Sequence, residues 1–179
     1  MKQSELRKLY TQDVVTDPDT GREKRILRYT GPHYRLDLAQ TRRLLLPLWS
    51  GLLLCLAAFV AAGLTPARGT YCVYVLPPYV LLLLPLLYGF MSGLKVSRIH
   101  TERIDEVQKR EGVESLRHSA IGLLLLSGLW LIGEGVFLLL NHPANWHADG
   151  FFLACSILSL LGGLLLHRTA GRITVQPDA

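Results

Sequence analysis

The sequence predicts an all-α integral membrane protein, an up-down-up-down bundle of four transmembrane helices with a short N-terminal β-hairpin and a helical loop on the cytoplasmic side. Two observations predict it. Half of the 179 residues are hydrophobic and 18% are charged, and the apolar residues are gathered into long blocks, as membrane spans require. The basic residues fall almost wholly between alternate blocks, which is how a chain threads a bilayer with its positive segments inside. No second domain is needed: residues 1–43 form a basic N-terminal segment, 44–167 the helical domain with its 95–118 loop, and 168–179 a tail.

In chain order, VVTDPDTGREKRILRY reads first as a hairpin, with Val14 and Val15 on one strand, a turn over 17–21 and a return strand over 24–30. Pro18 presets a negative φ and Gly21 accepts a positive one, as a tight turn needs. A calcium loop built on Asp17 and Asp19 fails, because Arg28 stands where its closing glutamate belongs. Arg35, Arg42 and Arg43 suit an anchor to lipid headgroups. The first apolar block begins only at Leu44, so no cleavable leader is expected.

The candidate spans are 44–64, 77–94, 119–140 and 151–166. The last makes only about 24 Å of helix, which requires a thin bilayer or tilted neighbours. Pro47 is expected in the first turn of its helix and Pro77 and Pro78 at the start of theirs, where a missing amide is harmless. Pro85 lies inside the second span, removes the bond to the Leu81 carbonyl and predicts a kink. Gly89 and Gly93, the Ala57/Ala61 and Ala58/Ala62 pairs, and Cys155, Ser159 and Gly163 recur at four-residue spacing, the pattern that lets helices approach closely in lipid. These stripes suit a bundle and leave homo-oligomerisation open.

Orientation follows from charge. Lys and Arg number ten before residue 44, six over 95–118 and two in the tail, against Arg68 alone over 65–76 and none over 142–149. Both termini are therefore expected in the cytoplasm, with the chain in the cell membrane. The net charge of +5 is then a topology signal rather than a nucleic-acid footprint. Tyr71, Tyr74, Tyr79, Trp146, Phe151 and Phe152 are expected at the outer interface.

The loop over 95–118 reads as a helix from Lys95 to about Gly112, followed by a short one leading into the third span. Asp105 with Lys109 and Glu106 with Arg110 have the favourable acid-first spacing. Val96, Ile99, Ile104 and Val107 form an apolar seam that closes on the N-terminal segment or offers a docking surface over 96–116.

Few residues carry chemistry. Glu134 lies in SGLWLIGEGVFLLL, about 10 Å from the outer end of its span. Insertion is not at risk, because the span's apolar residues contribute about 6 kcal/mol against a cost of about 3 kcal/mol for the acid. Ser127, Glu134 and Asn141 recur every seven residues, so they share a face expected to turn inward. There the acid acts as a neutral hydrogen-bonding group, an ion-pair partner of Arg68 or a loop histidine, or the centre of a proton-coupled path. His118 and His167 sit at the inner ends of adjacent spans, where a bis-His haem would need them. His142, His147 and Asp149 offer a divalent metal site on the outer side. The chain has no Cys-x-x-Cys pair; Cys55 and Cys155 read as small core residues.

The charged inner elements are elaborate and the membrane interior is sparse, so the expected role is non-enzymatic: an accessory or interaction subunit. Its protein partner would bind through 96–116 and the N-terminal segment. The competing reading is a small oligomeric carrier using Glu134, Ser127 and Asn141, in a path opened at Pro85.

Overall fold

The computed structural model describes residues 10–16, 23–141 and 146–178. Among them, four helical stretches are long and apolar enough to cross a membrane. Helix α1 spans Leu38–Gly63; α2, Leu76–Leu81, and α3, Leu83–Ser97, together make the second stretch; α4 spans Ser115–Asn141 and α5 Trp146–Arg172. Each stretch packs against the next in sequence, and α5 closes the ring on α1. That closing contact rests on two glycines: a side-chain carbon on Gly162 would stand 2.7 Å from Cys55 Sγ and 2.9 Å from the Gly51 carbonyl oxygen. Close backbone approach of this kind is what small residues permit between apolar helices.

The helices begin earlier and end later than the apolar blocks. Asp37 caps α1, its carboxylate accepting from the Gln40 amide at 3.0 Å, so the helix starts six residues before Leu44. Pro47 consequently lies well inside α1 rather than in its first turn, leaving the Arg43 carbonyl without its amide partner. Helix α5 runs for 27 residues, so the fourth stretch is not short. Its end is held by Arg117, whose guanidinium donates to the Ala170 and Ile173 carbonyls at 3.2 and 2.7 Å, satisfying acceptors that a helix C-terminus leaves free. The second stretch is interrupted at Leu82, inside the turn that precedes Pro85. The Pro85 carbonyl accepts from Ser119 at 2.7 Å.

At the end of the bundle where α3 stops and α4 begins, two small sheets form. Strands β1, Tyr10–Thr16, and β2, Glu23–Tyr29, pair antiparallel as a hairpin; its connecting residues, where the turn over 17–21 was expected, lie outside the described ones. Then β3, His33–Leu36, pairs on one side with β4, Arg103–Asp105, and on the other with β5, Val175–Pro177. Three segments far apart in sequence are thus tied to one end. The 95–118 region is accordingly not a helical hairpin: α3 stops at Ser97, β4 follows, and a helical turn Glu106–Gln108 and a π-helical segment Lys109–Glu114 run into α4.

The seam residues Val96 and Ile104 are fully buried with Leu36 and Val113, and Ile104 stands opposite Tyr34. Arg110 bridges Glu106 at 2.8 Å. Lys109 instead lies 4.1 Å over the Tyr34 ring and 3.5 Å from Glu114, while Asp105 faces His33 at 3.9 Å. Strand β4 turns the Asp105 side chain away from the helical register its spacing implied.

Candidate functional site

At the opposite end, the segment between α1 and α2 folds over the bundle as a 3-10 turn, Arg68–Tyr71, and returns at Val75. Two acids meet beneath it. Glu134, on α4, is 0% exposed and Asp149, in the first turn of α5, is 1% exposed. The Arg68 amide donates to Asp149 Oδ1 at 2.9 Å. On the adjacent residue, Gly69, a side-chain carbon would overlap Glu134 Oε2 and stand 2.8 Å from its carboxyl carbon. One turn of backbone therefore touches both carboxylates. Glu134 Oε1 and Oε2 and Asp149 Oδ2 are buried without a hydrogen-bond partner, as is the Trp130 Nε1 one turn along α4.

Ionised carboxylates removed from water cost several kcal/mol each unless paired, so this cluster is the most unusual chemistry in the molecule. A close fit also makes Gly69 sensitive. Gly69→Ala is expected to lift the turn off Glu134 and to lower stability by about 1–3 kcal/mol, measurable as a fall in melting temperature in detergent.

Below the acids lies a layer of four rings, one from each membrane-length stretch. Phe59 stacks on Tyr79 at 4.8 Å, and Tyr79 lies 5.1 Å from Trp130 and 5.7 Å from Phe152. Trp130 and Phe152 meet edge-on at 5.1 Å. Tyr79 and Phe152, expected at the interface, are thus core residues, and the Tyr79 hydroxyl donates to the Phe59 carbonyl at 2.9 Å. Tyr71, Trp146 and Phe151 are exposed.

Beyond the rings, Ser127 and Ser159 share a hydrogen bond of 2.8 Å, and the Cys55 thiol donates to the Ser159 carbonyl at 3.3 Å. Ser127 and Glu134 both turn inward, as the heptad spacing predicts, but the ring layer stands between them. Asn141 does not join them; it is exposed and donates to the Phe137 carbonyl at 3.2 Å.

The remaining candidates are dispersed. His142 lies outside the described residues. His147 is exposed while Asp149 points inward, so that pair does not converge on one ion. His118 and His167 are both exposed, with His118 Nδ1 2.8 Å from the Glu114 carbonyl oxygen. The Arg68 guanidinium is exposed as well; only its amide reaches the acids, so it forms no ion pair with Glu134. Among the described residues, no group of three or more His, Cys, Asp and Glu side chains is placed to hold a metal ion. Gly89 packs against Ser119 and Leu52, Gly93 against Leu48 and Leu52, and Gly163 against Leu124.

The Gly51–Gly162 contact and the Glu134–Asp149 pair were both missed by sequence reasoning. The glycines offered a faint signal, since Gly51 precedes Cys55 by four residues and Gly162 adjoins Gly163. Asp149 reads from sequence only as a metal candidate with His142 and His147, and nothing local signals that it meets Glu134.

Comparison of the chain with family models, with curated proteins and with solved structures finds no match in any of the three.

Proposed function

We propose that the protein is a multi-pass cell-membrane protein with both termini in the cytoplasm, acting as a non-enzymatic subunit that binds another protein through its inner face. One observation carries this reading. Within the 96–116 region a groove of about 290 Å³ opens between the end of α3 and the turn after β4, lined by Lys95, Arg98, Ile99, Val107, Gln108 and Glu111. Ile99 and Val107 give it an apolar lining; Lys95 is paired across it with Glu111 at 2.8 Å, which leaves Arg98 as the cation facing a partner. That chemistry suits an apolar anchor side chain flanked by an acidic residue on a partner.

The partner should co-purify from native membranes in gentle detergent at fixed stoichiometry. Val107→Glu, which puts a charge in the groove lining, is expected to cut its recovery at least tenfold while leaving the melting temperature nearly unchanged. An unaccompanied wild-type monomer contradicts the reading.

A second reading, a proton-coupled carrier, is favoured by Glu134 itself, since intramembrane acids commonly mark ion pathways. The ring layer weighs against it. A path from Glu134 to Ser127 must pass through four packed aromatic side chains. Reconstituted vesicles are therefore expected to show no proton flux above empty vesicles, and Glu134→Gln no change. A dimer with Glu134-dependent flux would support the carrier instead.

A further inference from the structure

We propose that Glu134 and Asp149 form a binding site for one divalent, oxygen-seeking cation of the calcium class, closed by the Arg68–Tyr71 turn. The proposal is independent of the role assigned to the inner groove, since binding here requires no transport.

Charge is the first argument. Three of the four oxygens of these two buried carboxylates are unpartnered, and the same turn of backbone touches both side chains. Arg68, the basic residue of the covering turn, reaches them with its amide alone and leaves its guanidinium exposed. A single divalent ion neutralises both acids at once, whereas a monovalent ion leaves one charge uncompensated away from water.

Ligand chemistry is the second. The unpartnered carboxylate oxygens are hard donors, and a backbone oxygen packs on the residue that precedes Glu134. The Tyr74 carbonyl packs on Gly133, where a side-chain carbon would stand 3.0 Å from it. Three and four residues on from Tyr74 are Pro77 and Pro78, neither of which has an amide to donate, so helical pairing cannot consume this carbonyl. Carboxylates and backbone carbonyls with water suit magnesium, calcium and manganese rather than zinc or copper. Among these, calcium tolerates irregular sets of oxygens drawn from loops, while magnesium demands a near-ideal octahedron. The absence of a third clustered acid or imidazole among the described residues limits affinity and makes water a necessary part of the shell.

The site would act as a clasp, fastening the 65–75 segment to the ends of α4 and α5. Trp130, buried one turn from Glu134 on the same helix, supplies a built-in reporter.

Terbium, which replaces calcium at oxygen sites, should give luminescence when tryptophan is excited in the full-length protein in detergent at neutral pH. Calcium should displace it, and calcium at a hundredfold excess over its dissociation constant should raise the melting temperature by about 5–10 °C. Glu134→Gln and Asp149→Asn should each abolish both signals. Trp130→Phe should dim the luminescence while preserving the calcium shift, which separates binding from reporting. The proposal is overturned if wild-type protein shows neither signal, or if both survive in Glu134→Gln. It is equally overturned if the doubly neutralised variant melts above wild type and wild type ignores calcium, because the pair then holds protons.

Discussion

Gly162→Val is expected to break the bundle. The contact between α1 and α5 brings backbone against backbone: the first added carbon already falls 2.7 Å from Cys55 Sγ, 2.9 Å from the Gly51 oxygen and 3.2 Å from the Cys55 amide nitrogen. The sulfur is already engaged, its thiol donating to the Ser159 carbonyl at 3.3 Å, and backbone cannot yield without moving a whole helix. Two further methyl groups compound the overlap. Overpacking that displaces side chains costs about 1–3 kcal/mol; here helices must separate, so the loss should exceed that range and appear as aggregation or a melting temperature lowered by 10 °C or more. Gly128→Ala and Gly135→Ala are the controls. Nothing lies within 4 Å of a side-chain carbon at either position, and removing glycine from a helix interior should stabilise by up to about 1 kcal/mol.

Trp130→Ala should have the next largest effect, about 3–5 kcal/mol. The indole is fully buried and touches Tyr79 and Phe152 with centroids 5.1 Å away in each case. Its removal leaves a void that rings from the other helices cannot refill without losing their own contacts. Trp130→Phe should be far milder, because it keeps a ring in the layer and removes the unpartnered Nε1 donor, whose burial is itself unfavourable. A calorimetric series of the wild type, the phenylalanine variant and the alanine variant tests this; equal losses in both variants would mean that the ring layer is not a packing unit.

How far the fold could be read from sequence depends on the kind of interaction. Long apolar blocks specify membrane-length helices almost unaided, because a bilayer core demands them. Helix ends are set by local chemistry that was partly visible: Asp37 with Gln40 three residues later is a start signal, overshadowed by the hydropathy edge at Leu44. The sheet of β3, β4 and β5 was not visible, since strands of three or four residues drawn from three distant segments show no period to detect. Nor was the partner of Glu134. Its heptad spacing turns Ser127 and Glu134 inward, but the choice of Asp149 over Arg68 or a loop histidine is made by the turn at Gly69, whose course depends on tertiary contacts. Local sequence groups the aspartate with His142 and His147 as metal ligands, because those are its polar neighbours along the chain.

The sheet bears on topology as well. By pairing β3 with both β4 and β5, it requires the N-terminal segment, the 95–118 region and the C-terminal tail to lie together, as the charge bias independently demands of an inner face. The decisive measurement is labelling of intact cells with a membrane-impermeant maleimide, using single cysteines introduced at Tyr71, Glu102 and Gln176 in a Cys72→Ser background. All three positions are exposed. We expect Tyr71→Cys to react in intact cells, and Glu102→Cys and Gln176→Cys to react only after the membrane is opened. Reaction of Glu102→Cys or Gln176→Cys from outside would contradict the proposed arrangement of the chain in the membrane.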